Sequence, residues 1–138
     1  METTALKINK ERGIAQEARF EHKGYQCSVL FMDMGHRCGY VGFPRSVKWR
    51  PDIDEIDCHG GVTYEGYSLP FEKEDEYFWV GFDCAHWGDG MDRAKMKEYF
   101  GRESYYTRSD NWEPKSLEYC IEECKKIVEQ MIEMKGEK

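Results

Sequence analysis

No stretch of this 138-residue chain approaches the roughly 18 to 20 consecutive apolar residues that a membrane span requires, and METTALKINKERG at its start lacks the apolar core of a secretory signal. These absences exclude a helical span and predict a soluble protein of the cytoplasm. Basic residues are also in short supply, with 20 Lys and Arg against 27 Asp and Glu and a net charge of −7. Such a charge disfavours attraction to a nucleic-acid backbone. The densest basic cluster, Arg45, Lys48 and Arg50 around Trp49, is followed at once by Asp52, Asp54, Glu55 and Asp57. Nucleic acid and membrane are therefore not the expected partners; a protein or a small molecule is. There is no internal repeat, no low-complexity tract, and no metal signature of the H-E-x-x-H or paired C-x-x-C kind.

What is present suits one domain with one core. Six cysteines in a cytoplasmic chain read as free thiols rather than as a disulfide framework. Cys120 and Cys124 share the apolar stripe of a helix, and Cys27 and Cys38 fall within strands, where cysteine packs as a small hydrophobe.

Four regions can be distinguished. Residues 1–17 are expected to form a short amphipathic helix, with Leu6, Ile8, Ile14 and Ala15 buried, or a mobile arm; Gly13 interrupts the pattern. Residues 18–89 carry the sheet. Tyr25, Cys27, Val29 and Phe31 alternate with polar neighbours, a turn follows, and CGYVGF from Cys38 completes a β-hairpin. A short strand is expected through Val62 and Tyr64, and Glu72 to Glu76 leads into a strong strand at Phe78. Residues 90–113 read as a long surface excursion rich in tyrosine, glycine and charge. Residues 114–134 form the clearest helix: Leu117, Cys120, Ile121, Cys124, Ile127, Val128 and Met131 recur at three- and four-residue spacing, with Pro114 in the first turn and Gly136 as the stop. The predicted fold class is α+β, a small antiparallel sheet with this helix packed on one face.

The segment FWVGFDCAHWGD concentrates the chemistry. Phe78, Val80, Phe82, Cys84 and His86 share one strand face and Tyr77, Trp79, Gly81 and Asp83 the other, so both faces are covered and the polar residues appear where the strand ends. In HGGVTY, Gly60 and Gly61 permit positive φ and Thr63 shares a strand face with His59. The paired glycines could present backbone N–H groups to an anion, or could mark a bulge or the start of a hairpin. Short connections favour convergence of His59 and His86 at one sheet end.

Three chemistries are open. His59, His86, Asp83 and Asp89 could bind a divalent metal such as zinc or manganese and activate water for hydrolysis of a phosphoester. Cys84 could act as a nucleophile with a histidine base, although it shares a face with apolar Phe82 and burial favours an inert thiol. The same residues could instead form a hydrogen-bonded corner that holds the Asp89 loop while the protein works by binding. The candidate catalytic and metal-ligating set is His59, His86, Asp83 and Asp89; the candidate ligand-binding set is Gly60, Gly61, Thr63, Tyr64, Cys84 and Trp87. Tyr99, Phe100, Tyr105, Tyr106 and Trp112 either complete the core or supply aromatic anchors that could stack on a nucleotide-derived ligand. An exposed sheet edge and the helix cysteines would both permit a homodimer.

CGYVGFP at Cys38–Pro44, HGGVTYEG at His59–Gly66, WVGFDCAHWGD at Trp79–Asp89 and SLEYCIEECKKIVEQM at Ser116–Met131 resemble, in that order, the motifs of a family of small bacteriophage and prophage proteins. The family pattern is CGYV-x-VP, HGG-x-TY, W-x-GFDCAH-x-GD and a terminal helix similar to LEYV-x-x-E. Phe43 stands where that pattern has an aliphatic residue, and Cys58 where an apolar one is common. The resemblance implies a viral or prophage origin and an intracellular accessory role during infection, in the host bacterial cytoplasm, with a host protein or small ligand as partner and a host defence pathway as the target. It implies no named reaction.

Overall fold

Alternating side chains in four long segments build the sheet, and a computed structural model describes the chain at residues 6–86, 88–103 and 112–136. The strands are β1 (Lys7–Asn9), β2 (Ile14–His22), β3 (Tyr25–Met32), β4 (Arg37–Pro44), β5 (Tyr64–Gly66) and β6 (Tyr77–Asp83). They form one sheet in the order β1-β2-β3-β4-β6-β5, every neighbouring pair antiparallel. Two helices follow, α1 (Arg93–Phe100) and α2 (Leu117–Lys135), so the fold is α+β with the C-terminal helix against the sheet.

The period of two decides which side chains meet α2. Cys27 and Val29 of β3, Val41 and Phe43 of β4, and Phe78, Val80 and Phe82 of β6 point to one face, where they pack on Cys120, Ile121, Cys124, Ile127, Val128 and Met131 of the helix. Each fully buried aliphatic side chain there contributes roughly 1.5–3 kcal/mol. On the other face Leu30 and Trp79 are covered by Leu69 from the β5–β6 connection, with Tyr40 and Tyr64 beside them. Ser116 caps α2, its hydroxyl accepting from the Tyr119 N–H at 3.1 Å, and Gly136 ends it in the left-handed region. Pro114 therefore lies ahead of the cap rather than in the first turn.

The segment expected to be a helix or an arm instead supplies β1 and the first four residues of β2, from position 7 onward; residues 1–5 lie outside the described residues. Gly13 closes the turn between these strands at φ +69°, donating to the Asn9 carbonyl at 3.0 Å, and a Cβ there would come within 2.2 Å of the Asp33 carboxylate. The start of β2 has both faces buried, and two of its buried residues are polar, so its sequence shows no clean alternation. Gln16 donates to Ser28 Oγ at 3.1 Å and to Glu72 Oε2 at 3.0 Å. Glu17 sits in a bulge, because Gln16 pairs with Leu30 and Ala18 with Val29.

From that bulge Glu17 reaches Arg37, which holds it by two hydrogen bonds of 2.6 and 3.1 Å. Tyr99 donates to the same carboxylate at 2.7 Å, and Arg37 donates onward to the Lys115 carbonyl at 3.0 Å. One buried guanidinium thus joins β2, β4, α1 and the segment leading to α2.

The surface excursion also needs correction. Residues 93–100 are helical, capped by Asp92, whose carboxylate accepts from the Lys95 N–H at 3.1 Å, and stopped at Gly101. Met96, Tyr99 and Phe100 bury against Phe31 and Ala15. Tyr105 and Tyr106 lie outside the described residues. Finally, the strand expected through Val62 begins only at Tyr64, which leaves His59 and Thr63 ahead of it in irregular chain.

Candidate functional site

Three chain segments meet beyond the end of β6. The turn at His59–Gly61 comes from one side, the Asp83–Asp89 loop from the strand itself, and the first turns of α2 from above. His59 is held from every direction. Its N–H donates to Glu123 Oε1 at 2.8 Å, its Nδ1 lies 2.9 Å from the Tyr119 hydroxyl, and its Nε2 lies 2.9 Å from Asp89 Oδ2. A carboxylate only accepts, so Nε2 carries a proton toward Asp89, and in the neutral imidazole Nδ1 is left to accept from Tyr119. Burial, with Glu123 nearby, pushes the Tyr119 hydroxyl up to about 12, which keeps it a donor at neutral pH.

Asp89 is the centre of the corner, with its side chain only 3 % exposed. It accepts from the His86 N–H at 3.0 Å and has Lys115 Nζ at 3.9 Å, while its own N–H donates to the His86 carbonyl at 2.9 Å. These bonds tie His86 and Asp89 to each other.

His86 and Asp83 form the outer pair. His86 Nε2 lies 3.2 Å from Asp83 Oδ1, but the nitrogen makes no hydrogen bond. Asp83 accepts from the Thr63 hydroxyl at 2.9 Å and from the Ala85 N–H at 3.1 Å. The two imidazoles stand 6.0 Å apart between ring centres, which is the convergence expected from the short connections. Gly60, at φ +68°, lets the backbone pass beneath His86: a Cβ there would fall 2.3 Å from Nε2. The Gly61 N–H donates to the Cys58 carbonyl at 2.9 Å, so it closes the turn and does not face outward as an anion donor.

The candidate metal ligands thus come together as two pairs, His59 with Asp89 and His86 with Asp83. Among the described residues no group of three or more His, Cys, Asp or Glu is placed to hold a metal ion. Cys84 is buried, its Sγ 3.9 Å from that of Cys120. The hydrogen bond with Cys120 and burial both drive its thiol far above the ordinary value, the opposite of what a nucleophile needs. Tyr64 points away from the corner, packing on Tyr40 on the face opposite α2 and donating to the Ser68 carbonyl. Trp87 lies outside the described residues.

Tyr119 and Glu123 were not among the residues expected at this site, nor was Lys115. The available signal was their i,i+4 spacing on the flank of the α2 stripe, one turn apart and facing the same way. The arrangement is a small α+β domain with a histidine–carboxylate corner where one strand end meets the start of the packed helix. Comparison with known proteins finds no matching family, no similar curated protein and no similar solved structure. Among the described residues no helix is long and apolar enough to cross a membrane.

Proposed function

We propose that this is a phage-encoded accessory protein that works by binding a host protein through the histidine–carboxylate corner, and so counters a host pathway. The observation that carries this reading is the double engagement of His59, whose ring is bonded at both nitrogens by Tyr119 and Asp89. A general base needs a nitrogen open to substrate, and a metal ligand needs a lone pair aimed at the ion. At His59 both positions are filled from within the chain, His86 Nε2 is shielded from solvent, and the nearby thiols of Cys58, Cys84 and Cys120 are all buried. What remains accessible is a rim of Tyr119, His86 and Asp83 on a rigid base, with an aromatic anchor and polar neighbours of the kind that protein interfaces use. Asp83, Asp89 and Glu123 outnumber Lys115 and Lys126 at this corner, which disfavours phosphate-bearing small ligands relative to a protein surface that carries cations.

A photo-crosslinking residue at position 119, in protein expressed inside a bacterial host, tests this. The expected result is one dominant host adduct that disappears in the His86→Ala and Asp83→Ala variants. In a parallel assay the purified protein meets a panel of nucleotides and phosphoesters with zinc, manganese or magnesium. Turnover there, lost in the His59→Ala/His86→Ala double variant, overturns the binding reading in favour of a small metal-dependent hydrolase.

A further inference from the structure

At the opposite edge of the sheet three cations have no ion-pair partner among the described residues. Among the described residues β1 is the outermost strand and pairs only with β2, so the main-chain groups along its outer side meet no other described strand. Leu6 and Ile8 are 45 % and 39 % exposed, two of the three large apolar side chains so exposed among the described residues. Ile8 stands opposite Ala15, which belongs to the apolar cluster of Phe31, Met96, Tyr99 and Phe100, so the apolar surface under α1 continues to the rim of the sheet.

Lys7 on the strand, with Lys10 and Arg12 in the turn after it, adds a local positive charge to a chain of net charge −7. Among the described residues no carboxylate lies within ion-pair distance of these three, Glu11 of the same turn included, whereas Arg19, Lys23, Arg37 and Arg45 each have one.

We infer that the β1 edge is a docking site for an extended acidic peptide segment of a partner protein, which adds to the sheet as a seventh strand. Main-chain hydrogen bonds supply the ladder, alternate apolar side chains of the peptide cover Leu6 and Ile8, and its carboxylates meet Lys7, Lys10 and Arg12. A short edge bearing lysine repels neutral and basic strands, which is how native sheets avoid indiscriminate pairing. The same charge selects an acidic strand by making the alternatives worse. A second copy would bring the same cations to the same edge. A nucleic acid would meet the net negative charge of the whole chain and would gain nothing from the main-chain ladder. This surface is separate from the histidine corner, so each reading stands or falls alone.

The probe is a fluorescein-labelled, end-capped ten-residue peptide of alternating valine and glutamate, followed by fluorescence anisotropy and by amide shifts in the ¹⁵N-labelled protein. Saturable binding is expected, with shifts at residues 7–9 and none at 59–61. Affinity falls at least tenfold for the Lys7→Glu/Lys10→Glu variant, and falls similarly when alternate amides of the peptide are N-methylated. The methylated peptide leaves the protein untouched, so it decides the matter even if the variant folds poorly. Absence of saturable binding, equal binding of the methylated peptide, or shifts elsewhere overturns the proposal. So does tighter binding of a single-stranded oligonucleotide, or a dimer in sedimentation that the peptide cannot compete with.

Discussion

Gly60 and Gly61 stand side by side in the left-handed region, at φ +68° and +80°, yet their surroundings differ completely. A Cβ at Gly60 would lie 2.3 Å from His86 Nε2, whereas a Cβ at Gly61 would meet nothing within 4 Å. Placing alanine at either position costs about 1–2 kcal/mol for the left-handed backbone alone. Gly61→Ala should lose that amount and little more. Gly60→Ala must also push the His86 ring aside, which adds about 1–3 kcal/mol of overpacking and breaks its contact with Asp83. Urea denaturation at neutral pH, with unchanged slope, measures both. The excess of Gly60→Ala over Gly61→Ala should largely vanish in a His86→Ala background, because no ring is left to displace. Equal losses at the two glycines, or an excess that persists without His86, would refute the packing of the histidine on the turn.

Arg37→Met leaves Glu17 buried without its cation and should cost about 3–5 kcal/mol, most of it recovered when Glu17→Gln is added; chemical denaturation of the three variants checks this. Tyr119→Phe removes the donor to His59 Nδ1 and should cost about 0.5–1.5 kcal/mol, while imidazole nitrogen shifts continue to place the proton on Nε2; a change of tautomer would contradict the assigned direction of the Asp89 bond. Burial pushes the Cys38 thiol up to about 12 and the Cys58 thiol up to about 11 from an ordinary value near 9. The folded state therefore keeps these protons where the unfolded chain releases them, so this contribution to stability is full below about pH 9 and declines as pH rises through about 11 to 12. Unfolding midpoints measured across that range should fall, and the fall should be shallower in Cys38→Ala.

The β3–β4 hairpin, β6 and α2 were legible because each has one clean period: apolar residues every second position in the strands and every third or fourth in the helix. β2 was not. Its first half buries Gln16 and Glu17, which look like surface residues until Ser28, Glu72 and Arg37 are placed around them. The α1 segment was missed because only Met96, Tyr99 and Phe100 of its eight residues are buried, too short a stripe to stand out among lysines, although Asp92 and Gly101 do mark its two ends. At the corner, the nearness of His59 and His86 followed from short connections. The division into two pairs did not, since it depends on the bonds between His86 and Asp89 and on Tyr119 and Glu123 descending from a helix thirty or more residues further along the chain.

The bulge at Glu17 has a consequence for how the chain finds its alignment. Sliding β2 by one residue against β3 would keep most backbone bonds and exchange only the faces, an error that hydrogen bonding alone does little to prevent. Either slip brings Gln16 or Ala18 to Arg37 and leaves the buried guanidinium with only the more distant Asp92, at 3.4 Å, in place of the two-pronged Glu17 contact. Glu17 thus acts as a key that fits one setting of the strands, and a misaligned pairing forfeits the closer of the two anions that the guanidinium holds.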